Sequence, residues 1–261
     1  MTTSTLTRAA AARAAGMLER GCTPASRPSQ RRNDERADAA AYVTAPLTGF
    51  ELRAADGEGG SGLFTFEGMA SVYEPSDHGQ DGHVCRGYQM WDMFGPYTEY
   101  VHLGAGTASL ANPQLDVPLV TDHRSLQRLA RTGNVTSPLY LTEHNDGDTL
   151  GLHVLAPALS LDNPFYAQVH YGLTTQLLDE MSFRFMITGG SWSDDWTEYH
   201  IHGYDIHRGD VAIVGYGANP FTAGSGLRSS SRAAQRAADV DPRVAEREAL
   251  HRLLDAAGVA R

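Results

Sequence analysis

The sequence predicts a mainly β fold with flanking helices, of the α+β kind, and three observations carry that expectation. Short apolar runs with period-two alternation recur along the middle of the chain, separated by Asn, Asp, Gly and Pro. A single strong helix signal interrupts them near Pro164. Glycine- and serine-rich stretches, DGEGGSG at 56–62 and GSGLRSSS at 224–231, bracket the patterned region. Three segments follow: a flexible arm and linker over 1–62, a β domain over 63–223, and a linker with a C-terminal helix over 224–261.

Residues 1 to about 45 are rich in Ala, Arg, Ser and Thr, with a basic cluster at Arg31, Arg32 and Arg36. They read as a mobile arm with at most one short helix. LFTFEGMASVY, 63–73, alternates as a strand with a glycine irregularity. Residues 74–95 hold turn formers and scattered aromatics and read as a long surface loop. Further strands are expected at 97–103, 117–122, 137–142 and 149–156. In the helix that follows, Asp162 or Asn163 caps, Pro164 suits the first turn, and Phe165, Val169, Leu173 and Leu177 recur every fourth residue. MSFRFMIT, 181–188, sends Met181, Phe183, Phe185 and Ile187 one way and Ser182, Arg184, Met186 and Thr188 the other. A pair of strands at 196–202 and 210–216 closes the core. Asp241 and Pro242 then open a helix with Leu250, Leu253, Leu254 and Ala257 on a narrow apolar face.

The 261 residues suffice for one hydrophobic core with tails, and 41% hydrophobic with 20% charged residues fits a soluble globular protein. No apolar run approaches the ~20 residues of a membrane helix, and the N-terminus lacks the apolar stretch of a secretory signal, so cytoplasmic synthesis and no membrane partner are expected. The net charge is −10 and every basic residue besides histidine is arginine. Such a surface repels phosphate backbones, which argues against a nucleic-acid partner. Cys22 and Cys85 match no zinc ribbon, redox pair or disulfide framework and read as free thiols.

Amide hydrolysis by serine needs a hydroxyl, a base to take its proton, and a group that fixes the base's tautomer. Ser182, on the polar side of a half-apolar strand, is the candidate nucleophile. His123, closing the apolar run VPLVTDH, is the candidate base. Asp210, the carboxylate of the strand DVAIV, is the candidate orienting group, with His207 as its alternative. Residue type alone does not single these out, and the chain has no GxSxG nucleophile elbow.

From about Phe64 to Pro220 the order of features resembles the tailed-phage prohead protease family, whose fold is similar to that of the herpesvirus protease assemblin. FEGMASVYE resembles the family's opening strand, YTEYVHLGAG its E-x-I-x-P-G-A-F stretch, and VPLVTDH the segment ending in the catalytic histidine. LYLTEHNDGDTLGLHVLA resembles the next hairpin, DEMSFRF the segment with the nucleophile, and GDVAIVGYGANP the E-V-S-I-V-T-x-P-A-N-P segment. Gly106 stands for the GAF phenylalanine, Arg184 for a glycine, Asp210 for glutamate and Gly217 for proline. The resemblance implies an assemblin-like closed β-barrel with peripheral helices. It also implies a serine endopeptidase acting in the host cytoplasm, inside the assembling prohead, through His123, Ser182 and Asp210, with no cofactor or metal. Its implied substrates are the scaffolding protein, segments of the major capsid protein and the protease's own tails, with self-cleavage expected near 56–62 or 224–231. Self-association is left open, and an oxyanion arginine would be Arg184 or Arg208.

Three other readings compete. His200, His202, Asp205 and His207 in HIHGYDIH have ligand types suited to a zinc hydrolase, although their spacing also fits a strand with one wet face. A catalytically inactive capsid or scaffold component could keep the fold, but all three candidate positions hold competent groups. A protease using Cys85, with His83 two residues away, is the third and carries little weight.

Overall fold

The computed structural model describes residues 3–28, 51–54, 63–75, 86–145, 150–175, 177–219 and 222. In one sheet β2 (Leu63–Val72) and β8 (Leu150–Ser160) pair antiparallel, flanked by β1 (Glu51–Ala54) and β7 (Tyr140–Asn145). A second sheet runs β3 (Tyr88–Asp92), β4 (Gly95–Val101), β10 (Glu198–Val214), β5 (Pro118–Thr121), β6 (Arg128–Arg131), with β9 (Glu180–Trp192) also laddered to β10. Ile201 pairs with both Val101 and Gly190, so β9 takes one edge of β10. The other edge is shared end to end by β4 and, farther along, β5, both parallel to β10. In the gap between them sits the short helix α2 (Thr107–Leu110), whose Ser109 hydroxyl accepts from Ile206 N–H at 2.9 Å and donates to Asp205 Oδ1 at 2.7 Å.

The mainly β expectation holds, but the closed barrel does not form. Among the described residues the ladders leave two open sheets, joined at two corners by single bridges, Glu74 to His102 and Arg131 to Pro138. At these corners Glu74 N–H donates to Val101 O at 2.7 Å, and Arg131 N–H to Ser137 O and Leu139 N–H to Arg131 O at 3.0 and 3.2 Å. The sheets meet instead through side chains, including Phe66, Leu152 and Val154 from one and Leu119, Met181, Ile201 and Ile213 from the other.

Most expected strands are present within a few residues. The run read as two strands, 196–202 and 210–216, is one 17-residue strand, β10, carrying a large bulge. The stretch read as a surface loop contains β3, with Tyr88, Met90 and Asp92 buried. The expected helix is α3 (Pro164–Thr174), capped by Asn163, whose Oδ1 accepts from Phe165 N–H at 3.0 Å. It ends before Leu177, which is exposed, and Tyr166 joins Val169 and Leu173 on the buried face. The segments 56–62, 224–231 and 241–257, the arginine cluster at 31–36, and His83 with Cys85 lie outside the described residues.

Where an arm with at most one short helix was expected, the structure has a 17-residue helix, α1 (Thr3–Glu19), seated on β4. Arg13 is its anchor and is fully buried. Nε and Nη2 donate to Asp92 at 2.7 and 3.1 Å, Nη1 to Trp196 O at 2.6 Å, and Nη2 also to Gly95 O and Pro96 O at 3.1 and 3.0 Å. The guanidinium lies 4.7 Å from the Trp192 ring centre. Each charge is therefore paired and its donors used, the condition under which a buried ion pair is tolerated. Arg13→Met strands Asp92 without its partner and is expected to cost about 3–5 kcal/mol in urea unfolding.

Candidate active site

Alternation along β9 sets the first side chain. Met181 and Phe183 enter the main core, so Ser182 and Arg184 emerge on the opposite face of the sheet. Ser182 pairs with Ala212, which with Val120 and Val214 forms a separate small apolar cluster on that face. Arg184 pairs with Asp210, two residues before Ala212, so hydroxyl, guanidinium and carboxylate share one side.

Asp210 owes its register to the bulge. Asp205 pairs with Met186 and Asp210 with Arg184, so residues 206–209 of β10 face the single residue Phe185 of β9. Arg208 turns left-handed here (φ 62°), and Gly209 runs so close to β9 that a Cβ would lie 1.9 Å from Arg184 O. Only glycine fits.

His123 follows β5 in a tight turn closed by Arg124 N–H to Thr121 O at 2.8 Å, with Asp122 and His123 both left-handed at φ 46° and 55°. Two successive non-glycine residues in that region cost energy, and Asp and His are among the side chains that tolerate it best. The turn is pinned to β10 by Asp122 N–H to Ile213 O at 3.0 Å. It brings His123 Nδ1–H to Asp210 Oδ1 at 2.5 Å. That bond fixes the tautomer with Nε2 as the free base nitrogen. Asp210 is 7% and His123 24% exposed, so the carboxylate is sheltered while the ring reaches solvent. Asp210 Oδ2 faces Arg184 Nη1 at 3.4 Å.

His123 and Ser182 line the same cavity of about 300 Å³, with Ala70 of β2, Tyr88 and Met90 of β3, Phe183, Arg184 and Phe185 of β9, and Ala218 and Asn219. No hydrogen bond joins Ser182 to His123 in this structure. The three sequence candidates are thus gathered at one site, two of them in contact. His207 is elsewhere, its Nδ1 accepting from Asp116 N–H at 3.2 Å. Of the two arginines considered, Arg184 lines the cavity, whereas exposed Arg208 stands at the bulge near Asp116. Sequence reasoning missed Tyr88 and Met90 because their segment read as a loop. It also missed buried Asn219, whose Nδ2 donates to Val72 O at 3.0 Å and ties the chain after β10 to β2.

HIHGYDIH does not converge. His200 meets His102 at 2.9 Å, His202 stacks on His102, Asp205 accepts from Ser109, and His207 serves Asp116. Among the described residues, no group of three or more His, Cys, Asp or Glu could hold a metal ion. Burial, with the neighbouring His200 adding to it, pushes His202 below the usual imidazole range.

The family model of caudovirus prohead serine proteases matches residues 50–236. The chain belongs to this family. No curated protein and no solved structure gives a significant match. The family is one of hydrolases that act as serine proteases in capsid maturation, and among the described residues no helix is long and apolar enough to cross a membrane.

Two departures from the family pattern have local reasons. At Gly106 a Cβ would lie 2.2 Å from Tyr204 Oη, so Tyr204, bonded to Tyr73 at 2.7 Å, fills the space beside it. At Gly217 the backbone N–H that proline would lack donates to Glu180 Oε2 at 2.5 Å. Burial raises Glu180 above the ordinary carboxylate range, with Asp179 adding to the effect and the Gly217 bond opposing it. Its ionised form is therefore penalised at neutral pH, and the penalty disappears as pH falls through the raised value. Glu180→Gln keeps an acceptor for Gly217 and is expected to raise Tm at pH 7 by a few degrees, the gain closing toward acid. Gly209→Ala, by contrast, is expected to cost about 3 kcal/mol or more in urea unfolding.

Proposed function

We propose that this chain is a serine endopeptidase that cleaves scaffold or capsid-protein segments, and its own tails, during prohead maturation inside the host cell. The observation that carries this reading is the His123–Asp210 bond at a cavity that also exposes Ser182. Family membership supports a capsid-maturation role.

Ser182 Oγ attacks the scissile carbonyl carbon while His123 Nε2 takes its proton. Asp210 holds Nδ1–H and stabilises the imidazolium that results. His123 then protonates the leaving amine, and water, activated by the same ring, hydrolyses the acyl-enzyme. The missing Ser182–His123 hydrogen bond fits an unliganded site, since catalytic contacts often tighten only when substrate binds. Arg184, loosely paired to Asp210, largely exposed at 61% and lining the same cavity, is the cation this reading assigns to the developing oxyanion. An extended substrate lies along the edge of β9 that β10 does not use, from Phe183 onward because Met181 N–H and O are bonded to Thr222 Oγ1, and strand addition there satisfies backbone groups whatever the side chains.

Ser182→Ala and His123→Ala should abolish cleavage of scaffold and capsid protein in a co-expression assay while leaving Tm within a few degrees. Wild-type processing by Ser182→Ala would mean that the nucleophile lies elsewhere or that the chain is an inactive assembly component. Asp210→Asn is expected to lower kcat on the order of 10³–10⁴-fold, because it removes the acceptor that fixes the tautomer. His207→Asn should change kcat by less than about threefold, and a large loss there would reverse the assignment of the third member. Activity is expected to survive chelators.

A further inference from the structure

The segment between α1 and the first sheet has no part in this chemistry, yet its path is specific. Gly21, left-handed at φ 70°, ends α1 in a pair of bonds, Cys22 N–H to Met17 O and Gly21 N–H to Leu18 O, both 2.9 Å. The chain reverses through a turn in which Ser26 N–H donates to Thr23 O at 2.8 Å and Thr23 N–H to Ser26 Oγ at 3.0 Å. It then meets β9. Trp192 N–H donates to Pro24 O at 2.8 Å, and Arg27 and Pro28 line a recess with Phe185, Met186 and Ile187. Since Pro24 lies by the last residue of β9 and Pro28 by its middle, the segment runs against the direction of β9, toward Ser182. Three strand residues, about 10 Å, separate Phe185 from Ser182.

We propose that Thr23–Pro28 is a tethered competitor for the substrate edge of β9, with α1 and buried Arg13 as its anchor. This rests on the assignment of Ser182 as nucleophile, which makes that edge the place for an extended substrate. β9 pairs with β10 along one edge and, among the described strands, with no other; on the far edge Met181 N–H and O are bonded to Thr222 Oγ1 and Trp192 N–H to Pro24 O, so the segment lies beside backbone between them that a peptide strand would use. Its composition suits an occupant that covers without being extended: Pro24 and Pro28 have no N–H, so no ladder propagates through them. Tethering gives it a high effective concentration, so a substrate competes at a disadvantage in binding and not in the chemical step. The full chain is thereby restrained in KM, with kcat untouched.

The test uses a fluorescent peptide copying residues 23–32, added to the full chain in the Ser182→Ala background, with and without Gly21→Val. Gly21 has open space around it, but a β-branched residue is strained at φ 70°, so Val displaces the segment without a core clash. A second chain carries an unrelated protease's site inserted between Gly21 and Thr23 and is cut after folding, with cutting verified by mass. Peptide affinity is expected to rise at least tenfold in the Val variant or the cut chain. In the Ser182-containing forms, KM for a capsid-protein peptide should fall three- to tenfold at constant kcat. Equal affinity across uncut, cut and Val chains, or no binding to any of them, overturns the proposal. The binding arm requires no hydrolysis, so failure of the catalytic assignment would appear only in the kinetic arm.

Discussion

The approach of Gly209 to the carbonyl of Arg184 is the contact on which the site's geometry depends. With a side chain at 209, β10 could not close on β9 there, and the residues of 206–209 could not be absorbed opposite Phe185. That absorption separates the stretch of β10 paired with β4 from the stretch paired with β5. It also makes room for α2 and returns Asp210 to the face shared by Ser182. One strand thus serves two parallel neighbours in succession, and the junction between them is where Asp210 meets His123.

Rigidity on either side of the junction lets the site hold an unfavourable backbone. The consecutive left-handed residues Asp122 and His123 persist because their turn is bonded to β10 and because Asp210 takes the imidazole. Strain of this kind survives only where its surroundings over-determine it. The departures from the family pattern follow the same logic of local replacement. Tyr204 supplies bulk where residue 106 has none, and Glu180 uses an N–H that proline at 217 would not offer.

Much of this was legible in the sequence. Period-two alternation placed β2, β8 and β9 and put Ser182 and Arg184 on one face, and capping chemistry placed the start of α3 within a residue, while its stripe was read on to Leu177, past the helix end. His123, Ser182 and Asp210 were singled out by resemblance, since each is an ordinary residue type in an ordinary strand context. What escaped was non-local. α1 looks like a polar arm because its anchor is an arginine, whose burial depends on Asp92 far along the chain. β3 was hidden because Tyr88 and Asp92 carry polar ends that find partners, such as Glu99 at 2.5 Å from Tyr88 Oη, only once folded. The two strands expected at 196–202 and 210–216 leave out 203–209, the stretch that holds the bulge and carries β10 through it. That the two sheets stay open was not legible either, because which strands pair across a corner depends on residues distant in sequence.

The two single-bridge corners bear on how the cleft behaves mechanically. Ala70 belongs to one sheet and Ser182 to the other, so the cavity straddles a seam with no continuous ladder across it. Its width is governed by side-chain packing, a softer restraint than rows of backbone hydrogen bonds. The cleft therefore has compliance that neither sheet has internally, and its width can change while the Asp210–His123 pair, carried wholly by the second sheet, keeps its alignment.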